Sequence, residues 1–259
     1  MTRALFRFMA LIGVGITLLA VSGVGPGAAR AKSVRFAPVA PGVAYTAFEV
    51  RPDGAEAFTG HAFYVDLEAA DLRLVPAGGP STRRTVEEIA AGYPTVVATN
   101  ASFFDTDGKA MGLAVDDGRV IAGGKRRSWG ALVVSDRNAR IVLGAEIADD
   151  RPRGLVVQGI PRLVVAGQVQ GLKPQLAERT AVCANGNAVV LVVTTRVETT
   201  PFARFLADPP DRGGLGCRDA LNLDGGPSTQ LVVKLPALAL SIPGGWGVPN
   251  ALVVTPRQM

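Results

Sequence analysis

The apolar residues of this chain fall into many short runs, each closed by a turn, and this pattern constrains the fold most. Val43–Val50, Ala62–Leu67, Leu72–Val75 and Thr95–Ala98 are the first such runs. Gly112–Val115, Arg119–Ile121, Ala131–Val134, Arg140–Leu143, Leu155–Val157 and Leu163–Val165 follow. Ala181–Cys183, Ala188–Val193, Ala220–Leu223, Leu231–Lys234 and Ala251–Val254 complete the series. Runs of this length bounded by Gly, Pro, Asn and Asp read as strands. Asp117-Gly118 and Asn185-Gly186 are hairpin-turn dipeptides, and Asp136–Asn138 joins another pair. Two short helices are expected. One starts at the capping box Thr85-Val86-Glu87-Glu88 and buries Val86, Ile89 and Ala90. The other opens at Thr200-Pro201, read as N-cap and N1, and runs to about Leu206 with Phe202, Phe205 and Leu206 on its buried stripe. Regular βαβ alternation is absent, which excludes a doubly wound parallel sheet. The expected fold is α+β: a single domain of mixed, mainly antiparallel β-sheets with a few short helices. No fixed-period repeat interrupts it.

The first residues read as an address. Arg3 and Arg7 precede an apolar run from Phe8 to Val24, and Ala29-Arg30-Ala31 places small residues where a signal peptidase reads. We expect a secretory signal over residues 1–31, a loose arm over 32–42 and the domain over 43–259. Retention as an anchor is the other reading, although about 17 apolar residues are short for a span. Either way the domain is exported, to the periplasm or beyond, and carries no later stretch that spans a membrane. Composition supports a globular chain: 48% of its residues are hydrophobic, which excludes disorder. The formal charge is +5. Arg3, Arg7 and Arg30 carry three of those charges, leaving +2 for the rest, too little for a nucleic-acid binder. One His and two Cys exclude the usual zinc sites. In an oxidising compartment Cys183 and Cys217 are expected to form a disulfide, the other reading being two buried thiols.

Two segments break the strand pattern with dense polar chemistry. The first is Asn100-Ala-Ser-Phe-Phe-Asp105-Thr-Asp-Gly108. The second is Asn222-Leu-Asp224-Gly225-Gly226-Pro-Ser228-Thr229. Each follows an apolar strand directly, as binding loops on rigid sheets do; ordinary turn chemistry is the competing reading. Asn222 and Asp224 alternate with Leu221 and Leu223 and so share a face. Gly225 and Gly226 let backbone N–H groups approach a ligand such as phosphate. Asp105-x-Asp107-Gly108 echoes part of a calcium loop, but the bidentate Glu of an EF-hand is missing. A different cation site there, for a divalent ion such as calcium, stays open. Arg179 reads equally as a bidentate phosphate clamp and as a solvated strand-edge residue. His61 reads as structural unless it faces the site, and Arg126-Arg127 as a solvated turn.

Taken in order, these residues resemble the phosphodiester glycosidase family. The matching positions are Asn100, Phe103, Phe104, Asp105, Gly112 and Leu113. Gln158, Pro161, Leu163 and Gly167 continue the match, then Arg179, then Asn222, Leu223, Asp224, Gly225, Gly226 and Ser228. The resemblance covers roughly Val43 to Thr255. Two positions depart from the family pattern: Pro227 stands where a third glycine is common, and Ser102 replaces a glycine before Phe103. The resemblance implies a hydrolase that cuts between a sugar's anomeric carbon and a phosphodiester oxygen, on an envelope or exopolysaccharide glycan. Such reactions pass through an oxocarbenium-like transition state and usually need two carboxyl groups. Asp224 is then expected to stabilise the developing cation or activate water, with Asp105 as second carboxylate or cation ligand. Arg179, the Gly225 and Gly226 amides and the Ser228 hydroxyl are expected to hold phosphate. Asn100, Ser102, Gln158 and Asn222 complete the expected substrate-binding set. Two other readings stay open: a polysaccharide-binding module that does not cut, and a metal-dependent phosphodiesterase that breaks P–O instead.

Overall fold

The computed structural model of the protein describes residues 33–147 and 154–257. The expected leader, residues 1–31, lies outside them. In chain order come β1 (Ala37–Ala40), β2 (Val43–Val50), β3 (Phe58–Asp66), β4 (Ala70–Pro76), α1 (Val86–Ala90) and β5 (Val97–Asn100). Next are β6 (Ala114–Asp116), β7 (Arg119–Ala122), β8 (Gly130–Ser135), β9 (Asn138–Leu143), β10 (Leu155–Gly159), β11 (Arg162–Val165) and β12 (Gln168–Val169). The rest comprises β13 (Leu176–Ala184), β14 (Ala188–Glu198), α2 (Thr199–Ala207), β15 (Asp219–Asn222), β16 (Leu231–Leu235), β17 (Leu238–Ile242) and β18 (Asn250–Pro256).

These strands build three sheets. An eight-stranded sheet has the order β1-β2-β3-β14-β13-β15-β11-β12. Two five-stranded sheets have the orders β7-β6-β10-β8-β9 and β17-β16-β5-β18-β4. The ladders among the described residues are antiparallel. The α+β expectation therefore holds, with antiparallel pairing throughout. One apolar core joins all three sheets: Phe63, Val182 and Leu191 from the first, Leu132 and Val157 from the second, Leu74, Leu231 and Leu252 from the third. The other face of the eight-stranded sheet carries α2, whose Phe202, Phe205 and Leu206 pack beside Cys183 and Cys217. Alternation along each strand sends successive side chains to these two cores. The expected bridge is present: Cys183 and Cys217 are joined, with Cα atoms 5.6 Å apart.

Local chemistry accounts for most boundaries. The capping box forms as expected, the Thr85 N–H donating to Glu88 Oε2 at 2.8 Å and the Glu88 N–H to Thr85 Oγ1 at 3.2 Å. Asp117 and Gly118 both take positive φ between β6 and β7, the requirement of a tight hairpin turn. Other boundaries move. α2 begins at Thr199 with Glu198 as N-cap, so Thr200 is not the cap and Pro201 falls within the first turn. Gly112 lies outside β6, held at φ +82° against Gln158. The expected loose arm contributes β1, which pairs with β2 at the sheet edge. An edge strand tolerates Pro38, whose missing N–H breaks no inner ladder. The sequence reading left out β17, a half-exposed edge strand between Pro236 and Pro243 whose alternation the prolines obscure.

Candidate active site

The site forms where β15 runs past its neighbours and ends. Leu221 and Leu223 stay in the shared core, and the Leu223 N–H still donates to Thr180 O of β13 at 2.9 Å. At the next residue the backbone is gripped from β5: the Asp224 N–H donates to Ala101 O at 3.1 Å. The Asn100 amide nitrogen donates to Asp224 O at 2.7 Å. Asn100 Oδ1 accepts from Thr180 Oγ1 at 2.7 Å and from the Gln230 N–H at 3.1 Å. Fully buried, Asn100 thus ties β5, β13 and both ends of the 224–230 loop together.

Beyond Asp224 the chain needs glycine. A Cβ on Gly225 would lie 2.7 Å from Glu178 O of β13, inside van der Waals contact. Gly226 adopts φ +59°, which costs other residues energy. A single 3-10 turn, Gly226–Ser228, then brings the chain back. Ser228 is buried, and its hydroxyl hydrogen-bonds the Asp224 carboxylate. The Gly225 N–H donates to Asp224 Oδ1 at 2.9 Å. Burial pushes the Asp224 carboxyl up to about 6, against the opposing pull of the Ser228 and Gly225 hydrogen bonds. A carboxyl near 6 changes protonation close to neutrality, as acid–base groups in active sites do.

The loop walls a cavity of about 310 Å³. Gly226, Pro227 and Thr229 form one side, with Gly244 and Gly245 beside them; Glu178, Val193 and His61 come from β13, β14 and β3. His61 therefore lines the cavity beside the 226–229 turn, whereas Asp224 is not part of that lining. Its Nδ1 lies 2.8 Å from the Tyr45 hydroxyl, and the two rings stack. Burial holds the imidazole below its ordinary value, so the ring is neutral at pH 7. The chain's single histidine was the available signal, and the sequence alone did not say which face it takes.

The other expected residues separate. Asn222 is buried beside the site: Nδ2 donates to Ile160 O and Leu223 O at 2.9 and 2.8 Å, and Oδ1 has no protein partner. Ser102 forms a buried reciprocal pair with Asn250 at 3.0 Å in both directions, closing the β5–β18 end. Gln158 is spent on the fold: Oε1 accepts from the Leu113 and Arg126 N–H groups at 2.8 Å each, and Nε2 donates to Arg126 O at 2.8 Å. Arg179 is buried rather than solvated. Its guanidinium bonds Gln175 and, at 2.9 Å from Nη2, the Thr199 hydroxyl that opens α2. Its electrostatic partner is Glu198; its Nη donors are held by Gln175, just ahead of β13, and by Thr199 of α2, while its buried Nε has no protein partner. Asp105 is exposed and closes its own turn, Oδ1 accepting from the Asp107 and Lys109 N–H groups at 3.0 and 2.9 Å. Asp107 pairs with Lys109 at 3.8 Å. Among the described residues no three His, Cys, Asp or Glu side chains gather as a metal site.

The fold is three antiparallel sheets, with a half-buried aspartate held by a glycine turn at the end of a strand. The chain belongs to the phosphodiester glycosidase family, whose family model matches residues 93–255. No curated protein matches it. Among solved structures it is similar to the zebrafish N-acetylglucosamine-1-phosphodiester alpha-N-acetylglucosaminidase catalytic domain, auto-inhibited by its pro-peptide. That match has TM-score 0.68 and 18% identity over 84% of this chain and 85% of that one. A hypothetical protein from Synechocystis matches with TM-score 0.55 and 17% identity, over 85% of this chain and 64% of that one. A putative exported protein from Burkholderia pseudomallei gives TM-score 0.56 and 15% identity, over 77% and 74%. These structural likenesses are likenesses of fold. Family membership supports hydrolysis of the phosphodiester glycosidase type. No helix among the described residues is long and apolar enough to cross a membrane.

Proposed function

We propose that this chain hydrolyses the glycosidic C–O bond of a sugar-1-phosphodiester, with Asp224 as the working carboxylate. Water adds its oxygen to the anomeric carbon, the bond from that carbon to the phosphodiester oxygen breaks, and a phosphomonoester leaves with free sugar as co-product. A phosphate leaving group is weakly basic and needs little protonation, so the main demand is on charge at the anomeric centre. The observation that carries this reading is the Asp224 carboxyl, half-buried, pushed up to about 6, and hydrogen-bonded by Ser228 and the Gly225 N–H. Ionised Asp224 stabilises the developing cation or draws the proton from water. Glu178, on the cavity wall, takes the place of Asp105 as the second carboxylate.

The phosphate-holding part assigned in the sequence to Arg179 passes to other donors. The Gly225 N–H already serves Asp224, so His61, on the wall of the neighbouring cavity, is the side chain we assign to a phosphate oxygen. Arg179 braces β13 where Gly225 packs against it, a positioning residue. Asn222 Oδ1, buried and unpartnered, accepts a sugar hydroxyl. The leader pattern and the disulfide support work outside the cytoplasm, on envelope or exopolysaccharide glycan.

The test is product identity on a panel of sugar-1-phosphodiesters, followed by NMR, with Asp224→Asn alongside. Free sugar and an intact phosphomonoester are expected, with turnover lower by roughly 10²–10⁴-fold in the variant. Sugar phosphate as product would move the chemistry to P–O cleavage. Saturable binding without turnover would make the chain a binding module.

A further inference from the structure

A second cleft, of about 810 Å³, adjoins the first through Gly245, and the reaction above makes no use of it. Its size falls within the range of about 300–1,000 Å³ typical of small-molecule sites. Trp246 stands on its rim with 57% of its surface exposed, between Gly245 and Gly247. Phe104 meets the Trp246 ring edge-on at 6.4 Å. The Arg83 guanidinium lies over Phe104, 5.3 Å from the ring centre. Ser81, Asp105 and Thr106 supply the remaining polar wall.

Glycines shape this cleft around Arg83. A Cβ on Gly108 would come within 2.9 Å of Arg83 Nε, and Gly108 holds φ +83°. A Cβ on Gly247 would press on the Arg83 backbone at 3.2 Å. Gly108, closing the Asp105–Gly108 turn, thus leaves room for the Arg83 side chain. The cleft is also wired to the catalytic loop. Pro227 O accepts from the Gly245 N–H at 2.7 Å and the Trp246 N–H at 3.1 Å, and Gln230 Nε2 donates to Trp246 O at 2.7 Å.

A flat aromatic face flanked by a guanidinium, a carboxylate and two hydroxyls fits a pyranose ring. The ring's C–H face stacks on the indole, while its equatorial hydroxyls meet Asp105 as acceptor and Arg83 as donor. We propose that this cleft is a glycan subsite, holding a sugar of the substrate beyond the scissile bond. It rests on the glycosidase reading for its place in the reaction, and its binding is measurable without turnover.

The experiment titrates mannotriose, and separately chitotriose, into the ¹⁵N-labelled full chain, with the Asp224→Asn variant in parallel. The chain has two tryptophans, so two indole N–H signals are read and Trp129 serves as internal reference. Saturable movement of the Trp246 signal with at least one trisaccharide, in both proteins, is the expected result. Calorimetry with that sugar should show roughly tenfold weaker binding for Trp246→Ala and for Arg83→Gln. A still Trp246 signal with both sugars, or movement of Trp129 alone, overturns the subsite. If the subsite binds while no phosphodiester is cut, the glycosidase reading falls and the subsite stands; cutting with a still Trp246 does the reverse.

Discussion

At the residue scale, the role proposed for Asp224 carries a stability cost. Its carboxyl sits at about 6 when folded, against about 4 in an unfolded chain. A carboxyl raised by folding contributes stability that is present below its unfolded value and lost as pH rises through its folded value. Above pH 6 the folded protein therefore carries a buried charge at a cost on the order of 2–3 kcal/mol. Asp224→Asn should raise the melting temperature at pH 7.5 and leave it unchanged near pH 3.5, as scanning calorimetry at the two pH values will read. In the proposed reaction the working form is the carboxylate, so kcat/KM should fall on the acid side of about pH 6. The Ser228 hydroxyl stabilises that carboxylate. Its removal in Ser228→Ala should shift the acid limb to higher pH, while a purely structural Ser228 would leave the limb in place.

At the scale of elements, the 224–230 loop depends on the close approach of Gly225 to β13. Gly225→Ala puts a methyl group 2.7 Å from Glu178 O. Crowding of that kind costs about 1–3 kcal/mol, and the variant should lose both activity and melting temperature. The disulfide ties β13 to the segment that leads into β15, closing 34 residues of sequence separation. In the chain-entropy picture a loop of that length contributes about 3–4 kcal/mol. Cys183→Ser with Cys217→Ser should lower the denaturant midpoint accordingly without changing the pH limb. The sequence carried much of this level. Strand runs, the Thr85–Glu88 cap and the Asp117-Gly118 turn are local chemistry and were readable as such. The start of α2 was misplaced because Thr200-Pro201 has the composition of a cap, while the β14 ladder continues to Glu198 before the helix opens.

At the scale of the molecule, the three sheets bring together residues far apart in sequence, and that is where reading residues alone ran out. Asp224 was visible as a candidate because its own segment breaks a strand pattern. Asn100, Ser102 and Gln158 were visible too, but their motif spacing could not distinguish a ligand contact from a buried amide or hydroxyl tying strands together. Their partners, Thr180, Asn250 and Arg126, lie in other strands and loops. Arg179 reads in one dimension equally as a phosphate clamp and as a solvated strand-edge residue; in the fold it is buried and reaches Thr199 of α2. His61 was passed over for the same reason in reverse, since only the register of β3 against β14 brings it to the cavity that Gly226, Pro227 and Thr229 also line.

The most direct test of the central claim is hydrolysis of a sugar-1-phosphodiester in ¹⁸O-water, with both products weighed by mass spectrometry. Attack at the anomeric carbon predicts the label in the free sugar and none in the phosphomonoester. Label in the phosphate, with unlabelled sugar, would place the break at the P–O bond and contradict the role given to Asp224.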